Sequence, residues 1–98
     1  MPVTVILELH MKAETVEDVL QGLAADLPDT RAYKGNLSVD VVRDQADPCH
    51  ITLIERWQER ADQEAYIAWR TSTGSMEQTI AASAAPPTIT YYDEMQDV

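Results

Sequence analysis

Asn36-Leu37-Ser38-Val39-Asp40-Val41-Val42-Arg43, Asp44-Gln45-Ala46-Asp47-Pro48 and His50-Ile51-Thr52-Leu53-Ile54-Glu55-Arg56-Trp57 follow one another in mid-chain, with only Cys49 between the last two. The first segment alternates, with Leu37, Val39 and Val41 on one side, which is the period of a half-buried strand. The second is a polar turn, and Pro48 has no N–H to give to a ladder, so the next strand starts after it. Together they predict an antiparallel hairpin. Its second arm has two unlike faces, one carrying Ile51, Leu53, Glu55 and Trp57, the other His50, Thr52, Ile54 and Arg56.

Outward toward the N-terminus, Val3 to His10 is short, mostly apolar and rich in branched residues, and predicts a strand with Val3, Val5, Leu7 and Leu9 on one face. The period then changes. Val16, Val19, Leu20, Leu23 and Leu27 recur at helical spacing, Thr15 stands three residues before Asp18 as a weak capping box, and Pro28 is expected to close the helix. Toward the C-terminus a helix is expected from about Ala61 to Thr71, with Ala65, Tyr66 and Trp69 sharing a face, and Gly74 breaks it. Met76, Ile80 and Ala84 mark a shorter helix ending before Pro86-Pro87, and Thr88 to Met95 supplies a last strand. The order β-α-β-β-α-(α)-β is the ferredoxin-like split βαβ, an α+β fold with a four-stranded antiparallel sheet, in one domain spanning residues 1–98. Helices then cover one face of the sheet. Ile6, Ile54 and Val42 point to the other face and are apolar where a solvated surface is polar, which predicts a homodimer through the sheet faces.

Composition narrows the function. The net charge is −10, and from Thr71 to Val98 there are four acids and no Lys or Arg, so nothing neutralises a row of phosphates and no nucleic-acid partner is expected. No apolar run is long enough to span a bilayer, and Met1-Pro2-Val3-Thr4 lacks the basic region of a signal peptide, so a cytoplasmic protein with no membrane partner is expected. The single cysteine, Cys49, excludes an internal disulfide and a multi-thiolate metal site.

Arg31-Ala32-Tyr33-Lys34-Gly35-Asn36-Leu37-Ser38, the Asp44 to Pro48 turn, Ile54-Glu55-Arg56-Trp57 and the helical Glu64-Ala65-Tyr66 resemble the antibiotic biosynthesis monooxygenase domain family. The likeness runs from Val3 to about Met95. It implies a dimeric α+β barrel with one pocket per subunit between sheet and helices. It further implies oxidation of electron-rich aromatics, such as anthrones and quinols, by molecular oxygen with no cofactor, the substrate anion being the electron donor. Other relatives degrade haem. By the same resemblance Trp57 is the strand-end tryptophan lining the pocket, and Tyr66 stands where many members have a histidine. Leu53 and Leu7 occupy positions where oxygenases and haem-degrading members, respectively, have asparagine.

The resemblance implies a cofactor-independent monooxygenase acting on a small hydroxylated aromatic. Trp57 and Tyr66 are the expected catalytic pair, Trp57 packing on the substrate ring and Tyr66 hydrogen-bonding its oxygen. Leu7, Leu53 and Trp69 are expected to form an apolar wall, Tyr33 a lid from its loop, and Arg70 a group binding a carboxylate or phenolate. The alternative is a non-catalytic dimeric barrel that binds an aromatic metabolite. Glu55 shares the parity of Trp57 and, facing inward, is expected to need Arg70, Arg31 or a tyrosine hydroxyl as partner. His10 has a pKa suited to a base but lies by parity on the face opposite Leu7 and Leu9, and His50 is expected to be exposed.

Overall fold

The computed structural model describes residues 2–98. Its elements are β1 (Val3–Met11), α1 (Val16–Ala32), β2 (Asn36–Arg43), β3 (His50–Trp57), α2 (Arg60–Ser72), α3 (Ser75–Ala81) and β4 (Ser83–Asp93). The strands form one antiparallel sheet in the order β2-β3-β1-β4, the ferredoxin-like α+β arrangement read from the sequence. Leu7 stands directly opposite Leu53 across β1 and β3, and Val41 opposite Leu53 across β2 and β3.

Alternation fixes what each face does. Val3, Val5, Leu9 and Met11 of β1, with Ile51, Leu53, Glu55 and Trp57 of β3, are buried beneath the helices, while Thr4, Ile6, His10, Thr52 and Ile54 keep partial exposure on the other side. The buried side chains gather into two clusters. Leu9, Met11, Val16, Leu27, Val39, Ile51 and Leu53 pack under α1, and Val3, Val5, Trp57 and Tyr66 pack under α2.

Five local expectations are corrected. Pro28 does not close the first helix: α1 continues through it to Ala32. Pro28 is exposed while Leu27 and Thr30 are buried, so the missing N–H and the ring lie on the solvent side and the burial of the last turn outweighs their cost. The Thr15 hydroxyl makes no cap; it donates to the carbonyls of Lys12 and Ala82 at 3.1 and 2.8 Å, tying the start of α1 to the end of α3. Leu37 leaves the face of Val39 because a register shift separates Asn36, opposite Trp57, from Ser38, opposite Arg56. The inward face of α2 is Gln63, Tyr66, Ile67 and Arg70, at 3 and 4 spacing, with Ala65 exposed and Trp69 37% exposed. Finally, α3 ends at Ala81 and β4 starts at Ser83, passing through Pro86 and Pro87. There Glu8 pairs with Thr88 and His10 with Ala85, so both prolines oppose the single residue Leu9 in a bulge, where a strand tolerates missing N–H groups.

Candidate active site

The two core clusters do not fill all the space between sheet and helices. A cavity of about 70 Å³ lies where they meet. Its floor is the sheet, with the cross-strand pair Leu7 and Leu53 beside Leu9 and Glu55; its walls are Leu23, Asp26, Leu27 and Thr30 of α1 and Tyr66, Ile67 and Arg70 of α2. Ser75, Met76 and Thr79 of α3, with Pro87 of β4, complete it. A groove of about 290 Å³ between α1 and α3 adjoins it, sharing Leu23, Asp26, Ser75 and Thr79. The Thr15 hydroxyl and the Lys12 N–H both donate to the Ala82 carbonyl, and Thr15 and Ala82 are among the residues lining this groove.

Thr30, Tyr66 and Arg70 form the polar end of the cavity. The Tyr66 hydroxyl lies 2.6 Å from Thr30 Oγ1 and accepts from Arg70 Nε at 2.8 Å. Arg70 Nη2 donates to the Asp26 carbonyl at 2.7 Å and to Thr30 Oγ1 at 3.3 Å. Among the described residues no carboxylate neutralises this buried cation. It is held by carbonyl and hydroxyl oxygens and by the faces of Trp69 and Tyr66, 4.6 and 5.4 Å from its guanidinium carbon.

Glu55 differs from the expectation. Neither Arg70 nor Arg31 reaches it, and Arg31 donates instead to the Val39 carbonyl. Its partner is the next residue on its own face: Trp57 Nε1 donates to Glu55 Oε1 at 2.9 Å. Glu55 is 4% exposed, and burial without a neighbouring cation pushes its carboxyl above the usual carboxylate range, the indole hydrogen bond offsetting part of the shift.

Of the residues expected at the site, Leu7, Leu53, Tyr66 and Arg70 line the cavity, while Trp57, Trp69 and Tyr33 are not on its wall. Trp57 is 0% exposed, with Tyr33 edge-on at 6.5 Å and Tyr66 tilted at 5.3 Å, so its ring is enclosed by protein and has no free face for a ligand. Tyr33 packs edge-on to Tyr66 and tilted against Trp69, at 5.3 and 5.6 Å, rather than over an opening. Thr30, Leu27 and Met76 were not expected there. Thr30 lies beyond Pro28, where the helix was read as finished, although Leu23, Leu27 and Thr30 continue the helical period and carried the signal. On the opposite face of the sheet, His10 and His50 stack at 4.7 Å, away from the cavity. Among the described residues no group of three or more His, Cys, Asp or Glu side chains is placed to hold a metal ion.

A four-stranded antiparallel sheet carrying helices on one face, with a cavity between them that is polar at one end, defines a ferredoxin-like α+β domain. The chain belongs to the antibiotic biosynthesis monooxygenase family, whose profile matches residues 2–81. It is similar to a crystal structure of an antibiotic biosynthesis monooxygenase, with 27% identity, a TM-score of 0.86, and coverage of 95% of this chain and 98% of that one. Rv0793 from Mycobacterium tuberculosis shares the fold at 20% identity and a TM-score of 0.87, over 98% and 97% of the two chains. A conserved protein from Methanosarcina mazei does so at 15% identity and a TM-score of 0.88, over 96% and 93%. No curated protein matches the sequence.

Proposed function

We propose that this protein is a cofactor-independent monooxygenase that oxidises a small hydroxylated aromatic or quinol of the anthrone type with molecular oxygen. The observation that carries this is the division of one buried cavity into the leucine floor of Leu7 and Leu53 and the polar end of Tyr66, Thr30 and Arg70. A planar apolar ring bearing one oxygen matches that division. The ring lies on the leucines and its oxygen meets the Tyr66 hydroxyl, which is held in place by the cationic N–H of Arg70. Negative charge developing on that oxygen is then stabilised by a donor fixed beforehand in a site of low polarity. The enclosed 70 Å³ is smaller than the ~150 Å³ engineered cavity that takes benzene, so a two- or three-ring substrate extends into the groove between α1 and α3. For an anthrone the balance is a methylene plus O2 giving a carbonyl plus water. One oxygen atom enters the product, and the other leaves with the two hydrogens of the oxidised carbon.

We also propose that two copies pack through their open sheet faces, where Ile6, Ile54, Val42 and Tyr92 stand among polar neighbours. A cytoplasmic location accompanies this proposal. No helix among the described residues is long and apolar enough to cross a membrane, and Cys49 is a free thiol.

Oxygen uptake with an anthrone and with a reduced naphthoquinone, each set against spontaneous oxidation, tests the function. Leu53→Phe, which fills the cavity from its floor, is the control, because overpacking costs only about 1–3 kcal/mol and should leave the fold intact. Uptake above the blank that falls at least tenfold in Leu53→Phe is expected. Binding of both compounds without uptake by the parent protein would instead identify a binding barrel, and a gain of uptake in Leu53→Asn would show what such a barrel lacks.

A further inference from the structure

Among the described residues Glu55 is the one carboxylate on the sheet floor of the cavity, and the indole N–H of Trp57 requires an oxygen acceptor there but not an acid. A residue kept for packing at this position would be apolar, like its β3 neighbours Leu53 and Ile51. A residue kept to neutralise a charge would meet a cation, and Glu55 meets none among the described residues. The Trp57 indole donates to Oε1, and Trp57, which is not on the cavity wall, is itself locked between Tyr33 and Tyr66. The carboxylate is thereby held in one orientation by a rigid aromatic and stands among leucines where a ring would lie.

We propose that Glu55 is the general base of this cavity, taking the proton from the carbon that is to be oxidised. This rests on the oxygenase reading above and supplies the group which that reading leaves open. Burial raises its proton affinity, so it is a stronger base than an exposed glutamate. The steps balance. The Glu55 carboxylate removes one methylene proton, leaving a carbanion whose charge spreads to the oxygen held by Tyr66. The carbanion passes one electron to O2, and the radical pair combines to form the carbon–oxygen bond of a peroxide anion. The Glu55 carboxylic acid returns its proton to the outer peroxide oxygen. Glu55 then removes the second proton from the same carbon as the carbonyl forms and the O–O bond breaks. The hydroxide that leaves takes that proton and becomes water.

The test compares the parent protein with Glu55→Gln, which keeps an oxygen to accept from Trp57, and with Glu55→Asp. Two readouts are taken on an anthrone: oxygen uptake in air, and anaerobic exchange of the methylene hydrogens with D2O followed by NMR, each corrected for the uncatalysed rate. The expected result is a loss of about 10²–10⁴-fold in both for Glu55→Gln, with partial recovery in Glu55→Asp and disappearance of the acid limb of the pH profile. Thermal unfolding adds a readout that separates the roles: a base buried at the expense of stability predicts that Glu55→Gln is the more stable protein above pH 7, and a structural carboxylate predicts the reverse. Uptake by the parent that Glu55→Gln leaves unchanged would overturn the base and spare the oxygenase. Exchange without uptake would overturn the oxygenase and spare the base. Neither uptake nor exchange by the parent would overturn both.

Discussion

Trp57 and Glu55 sit two residues apart on one face of β3, and each explains the other's surroundings: the indole N–H needs an acceptor when fully buried, and the carboxylate needs a donor. Trp57→Ala is therefore a poor probe of chemistry, since it removes a fully buried ring at about 3–5 kcal/mol. Trp57→Phe is better. It keeps most of the ring and deletes the donor, so the Glu55 carboxyl should move further above the usual range, read as an alkaline shift of the acid limb of the activity profile. Tyr66→Phe leaves Arg70 Nε and the Thr30 hydroxyl short of a buried partner and should cost about 1–3 kcal/mol in urea unfolding, along with any activity that depends on the hydroxyl. The sequence disclosed which of these residues face inward, because parity along a strand is strict. It did not disclose which of them meet a void. Trp57 and Leu53 have the same parity, yet one is enclosed by Tyr33 and Tyr66 and the other is not, a difference set by packing from elements distant in the chain. The partner of Glu55 escapes the sequence for a related reason: the expected partners, Arg70, Arg31 or a tyrosine hydroxyl, do not reach it, while the donor lies at i+2.

At the scale of elements, hydrophobic period finds all four strands and three helices and Gly74 separates α2 from α3 as expected, while the boundaries drawn from Pro28 and from Pro86-Pro87 differ from the structure. Pro28→Ala restores an N–H inside α1 and should stabilise the protein, the gain of up to about 3 kcal/mol in helix propensity being reduced by about 0.4–1 kcal/mol through a looser unfolded chain. A decrease in the urea midpoint would show that Pro28 sets a bend the helix needs. Gly35, ahead of β2, has φ of 87°, and an added Cβ would run into the Asp62 side chain in the first turn of α2. Gly35→Ala therefore combines a strained backbone, at about 1–2 kcal/mol, with a displaced helix start, and should lower the melting temperature by several degrees. The α3 segment was misread because Ile80, which suggested an apolar stripe with Met76 and Ala84, is 56% exposed; Met76 and Thr79 are the residues that reach the cavity.

On the scale of the whole molecule, the open sheet face carries its own titratable group. His50 Nδ1 lies 3.1 Å from Asp44 Oδ2 and Nε2 lies 3.0 Å from Glu8 Oε1, with the Thr52 hydroxyl at 3.5 Å and His10 stacked alongside. Two carboxylates, Asp44 foremost, hold the His50 pKa above its ordinary value, and His50 holds that of Asp44 below its own. The contribution of His50 to stability is thus complete below the ordinary histidine pKa and disappears as pH rises through the raised one. That of Asp44 is complete above the ordinary carboxylate pKa and disappears as pH falls through the lowered one. The difference in melting temperature between the parent protein and His50→Asn should therefore be largest in mildly acidic solution and shrink toward pH 9. On the same face Ile54→Asp should leave an 11.0 kDa species in sedimentation, if two copies meet there as proposed. The bulge that seats Pro86 and Pro87 opposite Leu9 has a bearing on this. β4 is an outer strand of the sheet, and two consecutive residues without N–H groups deny a further strand a continuous ladder along it. The opposite rim, β2, is interrupted at Leu37. Lateral growth is thus hindered at the β4 rim, and the association proposed above, confined to a single face, would close on itself after one step. Crowded to high concentration, this small acidic chain should neither gel nor nucleate fibrils, and the prolines rather than its charge would be the reason.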